Sequence, residues 1–192
     1  MSRVLSEPER HEFTELLLKG VLKALGQAHL LISSYVVSSD GMILTLARQM
    51  GAGAIPEPQD AGVNSAVFRG MKVLRPNEDV LVIPLDLPLL QASELRHLMD
   101  LKSAGLDVVM VPSSSFDGTN ALLFSPTQKI SLSYDDNSFW NHMESCAKNG
   151  LSVGICSQGG VTFDVDSPED LRSLARSGMN RPAVAFARRV TQ

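Results

Sequence analysis

The sequence has few of the features that define several large protein classes. Its 192 residues include two cysteines and 5 % aromatic residues, and no long basic run. A disulfide framework is therefore unexpected, and we expect Cys146 and Cys156 to be free thiols in a reducing cytoplasm. The longest apolar stretches fall short of the roughly 18 residues of a membrane span. The polar first residues carry no apolar signal-peptide core. A formal net charge of −4 disfavours nucleic-acid binding.

Common nucleotide-binding and hydrolase motifs are missing as well. The sequence contains no G-x-x-x-x-G-K-[ST], no G-x-G-x-x-G and no G-x-S-x-G, so P-loop, dinucleotide-binding and α/β-hydrolase functions lack their fingerprints. What is present is an ordinary globular composition, with 44 % hydrophobic and 20 % charged residues, which excludes disorder as the main state. The length suits one domain over residues 1–192.

Short β-rich runs alternate with helical segments, which predicts an α/β fold. The first helix begins at a capping box formed by Ser6 and Glu9. Helices are predicted over Ser6–Gly26, Met42–Met50, Val63–Val73, Ala92–Lys102, Ser138–Asn149 and Ser167–Arg176, with a further amphipathic turn or two after Pro182. Strands are predicted over Leu30–Val37, Ala52–Ile55, Asp79–Pro84, Val108–Pro112, Ala121–Ser125, Val153–Cys156 and Thr162–Val165.

A single carboxylate follows the most apolar strand. Asp86 comes directly after Val80–Leu85 and precedes Pro88, which stops a smooth continuation of the chain. This position is at the carboxyl edge of a sheet, where open α/β sheets bind ligands. Asp86 is therefore a candidate ligand for Mg²⁺ bound to phosphates. A helix cap or an ordinary loop carboxylate is the structural alternative.

A second acidic segment, Phe163–Leu171, places Asp164 and Asp166 two residues apart on an extended stretch. Both carboxylates then point to one face, and a divalent cation would relieve their repulsion. The same segment is also typical of a helix start, with Asp166 or Ser167 as the cap and Pro168 in the first turn. Metal binding and a helix start are compatible.

Two polar segments could hold an anion. In Asp117–Leu123, Gly118 allows a close approach of the backbone to a ligand, and Thr119 and Asn120 supply polar partners before a strand. Farther along, Ser138 would begin a helix whose free N–H groups can hold a phosphate or carboxylate. The alternatives are an ordinary hairpin loop and a structural helix cap, with His142 at the surface or in the core.

Taken together and in this order, the segments resemble the 2-phospho-L-lactate guanylyltransferase family of coenzyme F420 biosynthesis. The residues that carry the resemblance span nearly the whole chain: Leu5–Arg10, Val37–Asp40, Val63–Ala66, Asp86–Leu90, Gly118–Leu122, Ser138 and Phe139 with His142, and Asp164–Leu171. The Asp-Leu-Pro and Asp-x-Asp-x-Pro-Glu-Asp-Leu pieces also occur in other nucleotidyltransferases. The Gly-Thr-Asn-Ala-Leu and Ser-Phe-x-x-His pieces narrow the match to this family.

The resemblance implies a nucleotidyltransferase fold, with a mixed central sheet flanked by helices. It also implies transfer of GMP from GTP to 2-phospho-L-lactate, phosphoenolpyruvate or 3-phospho-D-glycerate, with loss of pyrophosphate. By that match, Mg²⁺ would be held by Asp86 and by one or both of Asp164 and Asp166. The remaining expected site residues are Thr119, Asp135 and Ser138 for the phospho-acid, and Ser39, Asp40 and Asn64 for the nucleotide. A homodimer is also expected from the family.

The sequence departs from the family pattern in two places. Asp135 stands where the family usually has glycine, and its carboxylate would repel an anionic acceptor unless it turns away or meets the metal. In addition, Met1 aligns just after the family's Lys-Ser-Arg-like triplet, so we expect the family's first strand and main nucleotide loop to be absent. Either the protein starts upstream, or it is a degenerate relative. Three hypotheses follow: a guanylyltransferase, another nucleotidyltransferase such as a molybdenum-cofactor enzyme, or a non-catalytic binding protein.

Overall fold

The structure, a computed structural model, describes residues 4–30, 34–75 and 77–191. The helices are α1 (Glu7–Gln27), α2 (Gly41–Gln49), α3 (Val63–Met71), α4 (Ala92–Ser103), α5 (Ser138–Lys148), α6 (Pro168–Arg176) and α7 (Pro182–Val190). The strands are β1 (Tyr35–Ser38), β2 (Gly53–Pro56), β3 (Val80–Val82), β4 (Val108–Pro112), β5 (Thr119–Phe124) and β6 (Val153–Ile155). Residues 31–33 of the predicted strand Leu30–Val37 lie outside the described residues, and β1 covers its last part.

The strands form two sheets, and the helices pack around them. β1 and β2 are parallel and are joined through α2. The second sheet has the order β3-β5-β4-β6, in which β5 is antiparallel to both neighbours and β4 is parallel to β6. The expected mixed sheet with flanking helices is therefore confirmed. Among the described helices, none has the length and apolarity that crossing a bilayer requires.

The four-stranded sheet is buried on both faces, and alternate residues of β4 and β5 separate the two cores. Ala121 and Leu123 pack with α1 and α4 in one cluster, which includes Val21, Leu95 and Leu98. Leu122 and Phe124 pack with α5 in another, which includes Phe139 and Cys146. This period-2 division fixes the register of β5, because a slip of one residue would exchange the two faces.

The C-terminal segment forms a full helix rather than a turn or two. Phe186 of α7 stacks on Phe13 of α1 with ring centroids 5.0 Å apart, and both side chains are buried. Arg189 of α7 also pairs with Glu12 at 2.6 Å, but both groups are about half exposed. An exposed ion pair contributes about 0–1 kcal/mol, whereas truncation of a buried phenylalanine costs about 3–5 kcal/mol. Apolar packing therefore holds α7 in place.

One predicted strand is wrong. Instead of a strand over Thr162–Val165, the chain forms a short 3-10 helix at Gly160–Thr162, and residues 163–166 pair with no strand. Gly159 has a φ of +91°, and a Cβ on Gly160 would overlap the backbone carbonyl of Leu89. This close approach turns the chain before a ladder can form. Phe163 and Val165, the apolar residues of the predicted strand, both pack against the cluster that includes Phe13, Leu171 and Phe186.

Candidate active site

Asp86 lies beyond the end of β3 and is mostly removed from solvent. Its Oδ1 atom is buried and has no hydrogen-bond partner in the described part of the chain. Burial raises the pKa of Asp86 to about 6, and the negative charges of Asp166 and Asp164 add to the shift. A buried carboxylate oxygen without a partner is costly, so such a group points to a missing cation or proton.

The second acidic segment approaches Asp86 through the backbone. The Val165 N–H donates to the carbonyl oxygen of Asp86 at 3.1 Å, which places Asp164 and Asp166 on either side of that contact. Burial raises the pKa of Asp166, and the charges of Asp164 and Asp170 raise it further. Asp164 and Asp166 are therefore close enough to Asp86 to raise its pKa.

The start of α6 does not require these two aspartates. Ser167 is the N-cap residue, and its Oγ accepts from the Asp170 N–H at 3.2 Å. The Asp170 carboxylate in turn accepts from the Ser167 N–H at 2.8 Å. Of the two caps that the sequence allowed, the structure uses Ser167. Asp166 is left without a capping role.

The three carboxylates suit a hard cation by their chemistry. Oxygen ligands from carboxylates are those that Mg²⁺ prefers, and Asp86 Oδ1 is a buried acceptor without a donor. Within residues 4–30, 34–75 and 77–191, however, no three His, Cys, Asp or Glu side chains are grouped closely enough to hold a metal already.

A β-bulge at the start of β5 connects the carboxylates to a second cluster. The pairing of β5 with β4 runs from Val111 opposite Ala121 to Pro112 opposite Thr119, so Asn120 is the extra residue. An extra residue reverses the alternation of side chains beyond it. Asn120 consequently reaches Asp164 Oδ1 at 3.1 Å, although simple alternation from Leu122 would direct it toward α5.

The same reversal turns Thr119 toward α5, where it meets Ser138 and His142. Ser138 Oγ donates to Thr119 Oγ1 at 3.1 Å, and His142 Nδ1 lies 3.0 Å from the same oxygen. The other ring nitrogen, Nε2, accepts from the Ser133 N–H at 3.1 Å. Thr119, Ser138 and His142 are all buried. Burial also lowers the pKa of His142 to about 4, which keeps the ring neutral.

The loop before Thr119 is closed by its own side chains. Asp117 Oδ1 accepts from Ser115 Oγ at 2.6 Å and from Ser113 Oγ at 2.7 Å, and these bonds lower the pKa of Asp117. The Gly118 N–H donates to Ser113 Oγ at 2.9 Å. This amide therefore donates within the loop and helps to hold the residues before Thr119 in position. Anion binding by the Gly118 loop stays a prediction.

Asp135 and Asn64, which the resemblance implies for different ligands, bind each other. Asn64 Nδ2 donates to Asp135 Oδ1 at 3.0 Å, and the Tyr134 N–H donates to Asn64 Oδ1 at 2.7 Å. Asn64 thus links the start of α3 to the loop before α5. The Asp135 carboxylate is exposed and has an amide partner, which answers how an acidic side chain is accommodated at this position.

Ser39 and Asp40 lie at the carboxyl end of β1. Asp40 is the N-cap of α2, and its Oδ1 accepts from the Met42 N–H at 2.7 Å and the Ile43 N–H at 3.3 Å. Its other oxygen lies 3.6 Å from His11 Nδ1. Asp40 therefore has a structural role, and a nucleotide contact by Ser39 or Asp40 stays a prediction.

The sequence does not predict the contacts that two polar residues of this region, Asn120 and Ser133, make with Asp164 and His142. Asn120 was grouped with Thr119, but its contact with Asp164 depends on the bulge, which has no sequence signal here. Ser133 contacts the cluster through its N–H, which donates to His142 Nε2, and its Oγ accepts from Asn141 Nδ2. The Ser-Phe-x-x-His spacing was the available signal, because it places Ser138 and His142 on one face of α5. Both cysteines are free, as expected.

Comparison with known proteins identifies relatives over nearly the whole chain. A phosphoenolpyruvate guanylyltransferase of Rubrobacter xylanophilus is 34 % identical over 182 residues, which cover 93 % of this chain and 87 % of that protein. A 2-phospho-L-lactate guanylyltransferase of Methanocaldococcus infernus is 32 % identical over 174 residues, 91 % of this chain and 76 % of that protein.

A crystal structure from Desulfovibrio desulfuricans, described as a nucleotide-diphospho-sugar transferase, superposes with a TM-score of 0.73. The match covers 97 % of this chain and 85 % of that one at 13 % identity, so it establishes the nucleotidyltransferase-like fold alone. The family described as "Guanylyl transferase CofC like" matches residues 1–191. The protein therefore belongs to the CofC-like guanylyl transferase family.

Proposed function

We propose that this guanylyltransferase transfers GMP from GTP to a three-carbon phospho-acid and releases pyrophosphate, as a step in coenzyme F420 biosynthesis. The acceptor class comes from the relatives, which are named for phosphoenolpyruvate and 2-phospho-L-lactate. One observation in this chain carries the proposal. Because of the bulge at Asn120, two neighbouring residues of β5 face opposite sides of the sheet. Asn120 contacts the Asp164 carboxylate on one side, and Thr119 contacts the Ser138 hydroxyl on the other.

The reaction requires positioning and charge neutralisation more than proton transfer. An oxygen of the acceptor phosphate attacks the α-phosphorus of GTP, and the bond from that phosphorus to the leaving pyrophosphate oxygen breaks. The acceptor phosphate is already ionised near neutral pH, so no general base is needed. Catalysis then depends on alignment of the reactants and stabilisation of charge on the triphosphate.

In this proposal Mg²⁺ would be held by Asp86 together with one or both of Asp164 and Asp166. A bound divalent cation neutralises charge and orients the phosphates. Asn120 donates to Asp164 and so directs that carboxylate. Thr119 and Ser138 bind the phospho-acid on the other side of β5. The Asn64–Asp135 pair holds the loop that borders this second site.

The test is pyrophosphate release by the purified protein with GTP, Mg²⁺ and each of three acceptors: phosphoenolpyruvate, 2-phospho-L-lactate and 3-phospho-D-glycerate. We expect release with at least one acceptor, and Asp86→Asn should reduce it by at least about 100-fold, because the carboxylate that anchors the cation is lost. Asp100→Asn, at an exposed position of α4, is the matched control and should keep full activity.

Other outcomes would point to the remaining hypotheses. Turnover of a molybdenum-cofactor precursor in place of phospho-acids would assign a different nucleotidyltransferase. Binding of a phospho-acid in calorimetry, without any binding of Mg²⁺–GTP, would support a non-catalytic relative. We further propose a cytoplasmic protein, on the basis of its two free thiols. A homodimer stays a prediction, to be checked by sedimentation.

A further inference from the structure

His142 is a buried polar residue. It is part of the Ser-Phe-x-x-His motif, but neither the family match nor the proposed chemistry gives it a role. It lies on α5, one turn after Ser138, and its side chain is fully enclosed. The ring meets Thr119 on one edge and the backbone of Ser133 on the other. The Tyr134 ring packs against it edge-on, with centroids 5.0 Å apart.

The protons of this cluster can be assigned by elimination. A backbone N–H can only donate, so the contact from Ser133 requires that His142 Nε2 be an unprotonated acceptor. A neutral imidazole carries one proton, which must then be on Nδ1. His142 Nδ1–H therefore donates to Thr119 Oγ1 across 3.0 Å.

Thr119 Oγ1 consequently accepts two hydrogen bonds, one from His142 and one from Ser138. A hydroxyl has two acceptor sites and one donor proton. With both acceptor sites filled, only its O–H remains, and in the described part of the chain that proton has no acceptor. We infer that His142 is a positioning residue, which fixes Thr119 as a hydrogen-bond donor toward an unprotonated oxygen of the phospho-acid.

The inference rests on the proposed function and explains its acceptor class. A site that can only donate favours carboxylate and phosphate oxygens, which carry no proton, over hydroxyl or amide N–H groups. Because burial keeps His142 neutral well below pH 6, this arrangement does not reverse over the physiological range. His142 also holds the Ser133 backbone, so one side chain orients both Thr119 and the loop that leads to Asp135.

The test compares two substitutions that differ in one hydrogen bond. His142→Phe keeps an aromatic ring beside Tyr134 but cannot donate to Thr119. His142→Asn is smaller, yet its Nδ2–H₂ group lies near the former Nδ1 position and can still donate. We expect His142→Phe to raise the KM for the phospho-acid on the order of 10-fold and to leave the KM for GTP unchanged. His142→Asn should restore most of the phospho-acid affinity.

A double-substitution cycle isolates the pathway from His142 through Thr119. Thr119→Val removes the hydroxyl, so adding His142→Phe to it should cause no further rise in the phospho-acid KM. Melting temperatures of all variants identify any loss of folding, which would lower kcat without changing the ratio of the two KM values. Thr119→Ser keeps a hydroxyl and serves as the conservative control.

Each failure has a distinct signature. If wild type turns over a phospho-acid but His142→Phe leaves its KM unchanged, the inference is wrong and the proposed function stands. Equal increases in the KM for GTP and for the phospho-acid would mean a general structural role and would also overturn it. Independent effects of the Thr119 and His142 substitutions would contradict the pathway. No turnover by wild type would overturn the proposed function, and the inference with it.

Discussion

Replacement of Asp86 by asparagine should stabilise the metal-free protein at alkaline pH. The pKa of Asp86 rises from 3.8 to about 6 in the fold, so the folded state binds its proton more tightly than the unfolded state. A shift of roughly two units corresponds to about 3 kcal/mol. Asparagine keeps the size of the side chain and cannot ionise, so it avoids this cost.

The sign of the effect sets its pH range. Below pH 4 the carboxyl is protonated in both states, and the stability that comes from the raised pKa is fully present. As the pH rises through 6 that stability is lost, because ionisation is unfavourable at this buried position. Wild type and Asp86→Asn should therefore unfold with similar free energies near pH 4. At pH 8 the variant should be more stable by up to about 3 kcal/mol.

The assay is urea unfolding with a chelator present, at several pH values, for wild type, Asp86→Asn and the exposed control Asp100→Asn. Because other titrating groups are common to all three proteins, the difference isolates Asp86. Added Mg²⁺ should stabilise wild type and so reduce the difference in unfolding free energy between wild type and Asp86→Asn, because only the protein with an ionised Asp86 binds the cation there. Equal stability of wild type and Asp86→Asn at pH 8 would refute the claim that Asp86 is strained by burial.

Three further predictions concern the support of the site. Asn64→Ala should raise the phospho-acid KM roughly 5-fold, since Tyr134 and Asp135 lose their partner; a rise in the KM for GTP alone would instead support a nucleotide role. Gly160→Ala should lower the unfolding free energy by about 1–3 kcal/mol, because its Cβ would overlap Leu89; an unchanged urea midpoint would contradict this. Ser167→Ala should lower the unfolding free energy by about 1 kcal/mol and leave kcat unchanged, which thermal unfolding and an activity assay on the same sample would check.

Local sequence signals predicted the helices well because their causes are local. The box of Ser6 and Glu9 begins α1 as expected, with Ser6 N–H donating to Glu9 at 2.8 Å. The Ser167 cap likewise begins α6. Capping depends on residues three positions apart, so it can be recognised without knowledge of the fold.

The carboxylate part of the site was also accessible from the sequence. Asp86 at a strand end and the Asp164–Asp166 pair have positional meaning in an α/β fold, and in the structure both aspartates lie near enough to Asp86 to raise its pKa. The family resemblance then connected segments that are far apart in the chain. Neither composition nor spacing alone would have joined residue 86 to residue 164.

The cluster of Thr119, Ser138 and His142 could not be predicted from the sequence in the same way. Its geometry depends on a bulge and on the protonation state of His142, and both are set by tertiary contacts. The sequence allowed His142 at the surface or in the core, and the structure places it in the core. The wrong strand at Thr162–Val165 has a similar origin, since the close approach of Gly160 to the Leu89 carbonyl is also a tertiary contact.

The bulge has a consequence for how this protein tolerates insertions and deletions. Removing Asn120 would restore regular alternation and leave Thr119 next to Ala121 on the α5 side, but it would delete the amide that donates to Asp164. Substitutions can tune either side of β5 separately, but a single-codon deletion at Asn120 would cut the link from β5 to the carboxylates. We therefore expect the start of β5 to be fixed in length, whereas the exposed tip at residues 114–116 can vary, and alignments of relatives should place no gap between Gly118 and Ala121.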